Sequence, residues 1–287
     1  MDITDKKESI LPIDLNLYVD GCADIESSCL TIQKVRSGRR TFLKPDHNGR
    51  KLSRYIGGKL PYHYRSPEKI GEDFGAEHDA LEMIWSLFAQ APTSPKFQNS
   101  HCAEILSSVY LEEVLGYRKL YSKLTLTSSE NTNVHKMDGF FVKTDGTEFE
   151  YLLVEAKSSI LPTEKTKFSG HRHGILKQML ESIDGYAKED ERFDFAKIRD
   201  NLSTSFSTNE ARQIKRDLIP PGPIRCSFLG VAVVNSSTVH SADDDFILSS
   251  SISYPFEFSA IVVDDLATLA RESYHYGKSV MDAIAEG

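Results

Sequence analysis

The sequence predicts a mixed α/β fold, in which helices cover the faces of a central β-sheet. Three observations support this class: apolar residues at helical spacing on both sides of the middle of the chain, a hairpin turn between two apolar runs, and two short apolar strands towards the C-terminus. The main elements follow in the order helix, strand, hairpin, helix, strand. That alternation is typical of a mixed sheet flanked by helices.

The helices are predicted from apolar residues three or four positions apart. Such residues recur from 76 to 88 and from 175 to 183. We therefore expect one helix from Gly75 to near Pro92 and another over Ser169 to Ala187, each with an apolar face. Further helices are expected over 103–115, which a glycine follows, and from about residue 265 to the end.

The strands are predicted from alternation and from turn chemistry. Residues 119–127 alternate loosely, and 139–157 contain Asp145-Gly146, a favoured two-residue hairpin turn. Two continuous apolar runs, 228–234 and 258–263, are typical of buried strands.

The N-terminal part, residues 1–66, is predicted to be a basic extension with short strands, followed by the main domain over 67–287. Turn-forming pairs such as Ser37-Gly38, Asn48-Gly49 and Gly57-Gly58 interrupt it. Ten lysine and arginine residues from Lys34 to Arg65 stand against one acid in this stretch. The segment suits contact with a phosphate backbone or an acidic partner, and a solvated basic surface explains it equally well.

Charge and cysteine usage narrow the class of protein. The formal net charge of −8 argues against a protein that coats nucleic acid by bulk electrostatics. Four scattered cysteines without CxxC spacing predict neither a disulfide framework nor a zinc site. The sequence also lacks a basic-then-apolar leader and an apolar run of membrane-spanning length, so we expect a cytoplasmic protein.

The returning strand of the hairpin bears the candidate site. Side chains alternate along a strand, so Glu155 and Lys157 share one face while Val154 and Ala156 point to the other. The hairpin places Asp138, at the start of the partner strand, near the same end. Two carboxylates and the Ala156 carbonyl are ligands that Mg²⁺ prefers. The metal would activate a water, and Lys157 would stabilise the transition state. The pattern therefore indicates a metal-dependent phosphodiesterase, against the alternative of a surface salt bridge.

Two helices flank this strand and add candidate residues. Glu77, in the first turn of the 76–88 helix, is a candidate metal ligand. Basic and amide side chains precede and begin the 175–183 helix, where a helix N-terminus suits a phosphate. We expect phosphate or partner contact from them, although an ordinary loop explains them as well. These side chains are His171, Arg172, His173, Lys177 and Gln178.

Asp138-Gly139, the apolar hairpin, Val154-Glu155-Ala156-Lys157 and the later Gln178 resemble the PD-(D/E)XK nuclease superfamily. The resemblance implies a core of a helix, three strands, a helix and a further strand over about 75–234. It also implies Mg²⁺ or Mn²⁺ as cofactor, with Gln178 joining Asp138, Glu155 and Lys157 in catalysis. The superfamily tends to show Gly-Glu directly, whereas here Ala76 precedes Glu77, so Glu72 and Glu82 are alternatives for the helix acid.

Three short runs resemble the HamA family more narrowly: Phe74 to Glu77, His135 to Gly139, and Leu153 to Lys157. HamA is the nuclease subunit of the bacterial Hachiman antiphage system. The resemblance implies an effector nuclease restrained by a superfamily 2 helicase partner, HamB, and released to degrade DNA when the helicase senses aberrant or invading DNA.

Two other functions stay open at this point. One is a stand-alone restriction or repair endonuclease with the same core. The other is a non-catalytic subunit that uses the fold to regulate a helicase. The sequence contains no Gly-rich phosphate loop, so we expect any ATP hydrolysis to come from a partner.

Overall fold

The computed structural model describes residues 30–34, 40–45, 49–64, 91–126, 137–161, 174–187, 195–196, 198–199, 202, 206–219, 226–238, 243–249 and 256–286. All statements about the structure concern these residues.

A seven-stranded sheet runs through the described residues. Its strands are β1 (Leu30–Lys34), β2 (Arg40–Pro45), β3 (Arg118–Ser122), β4 (Gly139–Thr144), β5 (Phe149–Ser159), β6 (Cys226–Asn235) and β7 (Phe256–Val263). They lie in the order β1-β2-β7-β6-β5-β4-β3. The pairs β2·β7, β7·β6 and β6·β5 are parallel, and β1·β2, β5·β4 and β4·β3 are antiparallel. The sheet is therefore mixed, as the sequence predicts.

The helices are α1 (Gly49–Tyr64), α2 (Pro95–Val109), α3 (Lys123–Leu126), α4 (Ile175–Ala187), α5 (Thr208–Asp217), α6 (Asp243–Ser249) and α7 (Leu266–Glu286). A π-helical segment, Tyr110–Val114, continues α2, and a 3₁₀ turn, Ser236–Thr238, follows β6. In the described part of the chain, no helix is both long and apolar enough to cross a membrane.

Helices pack on both faces of the sheet, and the strands divide their side chains between two cores. Along β5, Leu152 and Val154 face the core that contains α1, α2 and α7, whereas Tyr151 and Leu153 face the core that contains α4 and α5. The same alternation runs along β6, whose residues are buried from Phe228 to Val234. Burial on both faces is typical of a central parallel strand. The fold is thus a helix–sheet–helix sandwich.

The N-terminal part differs from the prediction in one element. Strands β1 and β2 lie where short strands were expected, but Gly57-Gly58 lies inside α1 and does not form a turn. A Cβ atom on Gly57 would lie 2.7 Å from the backbone oxygen of Ser273 on α7. This glycine therefore permits close packing of two helices. The division of the chain at residue 66 stays a prediction, although β2 pairs with β7 of the same sheet.

The strand predicted over 119–127 is shorter in the structure. It ends at Ser122, where Lys123 begins α3, and the backbone N–H of Lys123 donates to the Asp138 carbonyl at 3.0 Å. The hairpin is confirmed, but the expected two-residue turn is wrong: Thr144 pairs with Phe149, so Asp145 to Glu148 form a four-residue loop with Gly146 at φ +96°. The expected helices near 103–115 and from 265 onwards are also present. The helix expected over 169–187 begins at Ile175 in the described residues, and residues 75–90 of the helix expected from Gly75 lie outside them.

Candidate active site

Asp138, Glu155 and Lys157 converge at the start of β4 and the middle of β5. Gly139 pairs with Val154 in the antiparallel register, so Asp138 lies beside the strand segment that contains Glu155. The backbone N–H of Ala156 donates to Asp138 Oδ2 at 2.9 Å and fixes that carboxylate against β5. The hairpin thus produces the arrangement that strand alternation and the turn predict.

Glu155 is a buried carboxylate held by two neighbours. Its side chain is 8% exposed, and the more exposed ammonium group of Lys157 donates to Oε1. The hydroxyl of Ser182, on α4, also hydrogen-bonds to it. Burial, together with the negative charge of Asp138, raises the pKa of Glu155 to about 7 despite these donors. Burial therefore favours the protonated form of this carboxyl.

A lysine other than Lys157 contacts Asp138. Lys123 Nζ lies 3.3 Å from Asp138 Oδ1, and the backbone N–H of Lys123 bonds the Asp138 carbonyl. Burial alone would lower the pKa of this lysine, but the charges of Asp138 and Glu104 outweigh burial and raise it. Asp138 is therefore held by the start of α3 on one side and by β5 on the other.

Glu104, on α2, is the acid that the sequence argument missed. Its Oε2 atom is sealed from solvent and has no hydrogen-bond partner within the described residues, although other parts of the side chain keep some exposure. Burial first, and then the charge of Asp138, raise the pKa of Glu104 well above its usual range, with Glu155 adding to the effect. A usable signal existed, because the immediate neighbours of Glu104 in the sequence are the apolar residues Cys102, Ala103, Ile105 and Leu106.

Hydrogen bonds among Tyr64, His101 and Tyr274 join three helices near Glu104. Tyr64 of α1 contacts His101 Nδ1 of α2 at 2.7 Å and the Tyr274 hydroxyl of α7 at 2.5 Å. Burial, aided by the charge of Lys123, lowers the pKa of His101 to about 4, so its imidazole is neutral at pH 7. These hydrogen bonds fix the helix that presents Glu104 without adding charge to the site.

The structure describes only two of the remaining predicted site residues, Lys177 and Gln178. Gln178 is exposed on α4, one turn before Ser182, and Lys177 forms a 3.6 Å ion pair with Glu181 on the surface of the same helix. Glu77, its alternatives Glu72 and Glu82, and the loop residues His171, Arg172 and His173 lie outside the described residues. Their proposed roles stay predictions.

The donor set suits a hard divalent cation. Glu104, Asp138 and Glu155 supply carboxylate oxygens, the ligands that Mg²⁺ and Mn²⁺ prefer. The unpartnered Glu104 oxygen is a buried polar atom that a cation would satisfy. In the described parts of the chain, no three acidic, histidine or cysteine side chains are already grouped around one ion position. Instead, the ammonium group of Lys123 pairs with Asp138, and that of Lys157 pairs with Glu155.

Comparison with known proteins gives one family. The family model of HamA matches residues 26–275, a span that includes Glu104, Lys123, Asp138, Glu155 and Lys157. No curated protein matches the chain. Because the match covers most of the sequence, the chain belongs to the HamA family, a component of Hachiman antiphage defence.

Proposed function

We propose that this chain is a divalent-metal-dependent DNA nuclease, the effector of its defence complex. The observation that supports the proposal is a buried Glu104 that feels the charges of Asp138 and Glu155, each of which pairs with a lysine. Burying carboxylates is unfavourable unless each is paired and hydrogen-bonded, and Glu104 Oε2 has no such partner within the described residues. A cluster kept only for stability would be better replaced by apolar residues.

The three carboxylates would hold the metal, with the Ala156 carbonyl as a further candidate ligand. When bound, the metal would lower the pKa of a coordinated water and neutralise charge on the phosphate. Ser182 and Lys157 orient the Glu155 carboxylate from two sides. Lys157, at 30% exposure, can reach a phosphate from solvent and stabilise the charge that develops in the transition state.

The acidic chain suits a nuclease that is delivered by another subunit. A nuclease that searches for DNA alone benefits from a positive field, and this chain has a net charge of −8. A superfamily 2 helicase partner of the HamB type would hold the chain at DNA, restrain it and release it. Part of the basic segment is already used within the fold, because Lys59 pairs with Glu113 at 3.0 Å and Arg54 lies over the Tyr276 ring.

The direct test is cleavage of double-stranded DNA by the purified chain with Mg²⁺ or Mn²⁺. Glu155→Ala and Lys157→Ala should each abolish cleavage while the variants remain folded by circular dichroism. Glu181→Ala removes an exposed glutamate of α4 whose ion partner in the described part of the chain is Lys177, and it should cut like the wild type. Full activity in both site variants would refute the assignment.

The same samples separate the alternatives. General degradation of DNA supports a defence effector, whereas discrete fragments would favour a restriction or repair endonuclease. Calorimetric titration with Mn²⁺ addresses the third possibility. A folded chain that binds no divalent metal would favour a non-catalytic regulatory subunit.

A further inference from the structure

Lys123 stands in the candidate site but belongs neither to the β4–β5 hairpin nor to the strand pattern that predicts the site. It begins α3, directly after the edge strand β3. Its backbone is fixed by the hydrogen bond to the Asp138 carbonyl, whereas its side chain is 23% exposed and reaches Asp138 Oδ1. The ammonium group thus rests on a proposed metal ligand while its flexible stem retains access to solvent.

Charge balance gives this lysine a role beyond holding Asp138. The acids that act on Lys123 are Asp138, Glu104 and Glu155. Ionised, they bring three negative charges, which Lys157 and a divalent metal would just neutralise. Such a site would attract a phosphodiester weakly. With Lys123 included, the loaded site has one net positive charge, which matches the single negative charge of a phosphodiester.

We propose that Lys123 is a second phosphate-binding lysine, which rests on Asp138 in the metal-free protein and turns to the DNA phosphate when a metal takes that carboxylate. The inference rests on the proposed nuclease function. It assigns Lys123 to substrate binding. It also implies that Lys123 weakens metal binding, because its ammonium group competes with the cation for Asp138.

A purely structural lysine would behave differently. If Lys123 only positioned Asp138, its removal would weaken metal binding, and a higher metal concentration would restore activity. If Lys123 competes with the metal and then binds phosphate, its removal tightens metal binding and weakens DNA binding even at saturating metal. The two roles therefore predict changes of opposite sign in one titration.

The experiment compares Lys123→Met with Lys119→Met. Lys119 is a matched control, since it is a partly buried lysine of β3 that pairs with Glu112 at 3.7 Å. Calorimetry with Mn²⁺ should show several-fold tighter binding to Lys123→Met than to the wild type. DNA binding is then measured by fluorescence anisotropy at saturating Mn²⁺ over a range of KCl, in a Lys157→Met background that blocks cleavage.

The expected DNA result is a loss of one phosphate contact. The slope of log K against log salt should fall in magnitude by about 0.9, the value for one neutralised phosphate on duplex DNA. Lys123→Arg keeps the charge and should retain the slope, and Lys119→Met should change neither quantity. Lys123→Gln serves as a second neutral variant if the methionine variant does not fold.

Weaker Mn²⁺ binding by the neutral variants, or an unchanged salt slope, would overturn the inference. This failure is distinguishable from that of the proposed function. A wild-type chain that neither binds Mn²⁺ nor cuts DNA refutes both, whereas an active wild type with an unaffected Lys123→Met refutes only the role of Lys123.

Discussion

Replacing Glu155 with glutamine should stabilise the metal-free protein at pH 8, although it breaks the ion pair with Lys157. The pKa of Glu155 rises to about 7 from an ordinary 4.5, mainly because the side chain is buried. The folded protein therefore favours the protonated carboxyl over the carboxylate. Glutamine is neutral, has nearly the same shape, and mimics that protonated form at every pH.

The size and sign of the effect follow from proton linkage. A tenfold change in an acid constant corresponds to about 1.4 kcal/mol, so a rise from 4.5 to about 7 corresponds to about 3 kcal/mol. The folded carboxyl binds its proton more tightly than the unfolded one. Its favourable contribution is therefore fully present below pH 4.5 and is lost as the pH rises to about 7. Above that pH, the wild type should be less stable than Glu155→Gln by up to about 3 kcal/mol.

The assay is urea unfolding of both proteins from pH 5 to pH 8.5, in EDTA and then in Mg²⁺. In EDTA, the free energy of unfolding of the wild type should fall relative to that of Glu155→Gln as the pH rises. In Mg²⁺, the wild type should regain stability, because a ligand that binds only the folded state stabilises it. Glu155→Gln should gain little. An ordinary ion pair predicts the opposite sign in EDTA and no response to metal, so that result would refute the reasoning.

Two further substitutions, each with a matched control, test the role of Glu104 and the packing of α4 on the sheet. Glu104→Gln should reduce Mn²⁺ affinity by more than the roughly 10- to 100-fold that is typical of outer-sphere partners, and should abolish DNA cleavage. Glu113→Gln, which alters a glutamate paired with Lys59 away from the site, should do neither, and equal affinity in both variants would contradict the role of Glu104. Gly230→Ala should destabilise the protein by about 1 to 3 kcal/mol in urea unfolding, since its Cβ would overlap Met179 of α4. Gly185 lies on α4, the helix of Met179, and a Cβ atom there would meet open space. Gly185→Ala should therefore stabilise the protein by about 0.5 to 1 kcal/mol. Equal changes in the free energy of unfolding for the two variants would argue against the close packing of Gly230.

The sequence predicted the part of the site that depends on local geometry. Strand alternation places Glu155 and Lys157 on one face, and the hairpin around Asp145-Gly146 returns the chain so that Asp138 lies beside them, although its loop has four residues and not the expected two. These relations hold over a few residues and depend little on the rest of the fold. The two strands near the C-terminus were also predictable, because a continuous apolar run is typical of a strand that is buried on both faces.

Residues that join the site through tertiary packing were not predictable in the same way. Glu104 reaches the cluster because α2 packs against β5, a contact that no sequence spacing encodes. Lys123 was expected within a strand, but β3 ends at Ser122 and Lys123 begins α3 beside Asp138. Likewise, Gly57-Gly58 is compatible with a turn or with close helix packing, and only the position of α7 decides between them.

The most direct test of the central claim is DNA cleavage by the wild type and by Asp138→Asn, each measured in Mg²⁺ and in EDTA. Asp138 is the residue that links β4, β5 and α3 at the site, and asparagine preserves its shape while removing its charge. The wild type should cleave DNA in Mg²⁺ but not in EDTA, and Asp138→Asn should not cleave DNA under either condition. Cleavage that survives EDTA, or equal cleavage by the two proteins in Mg²⁺, would contradict it.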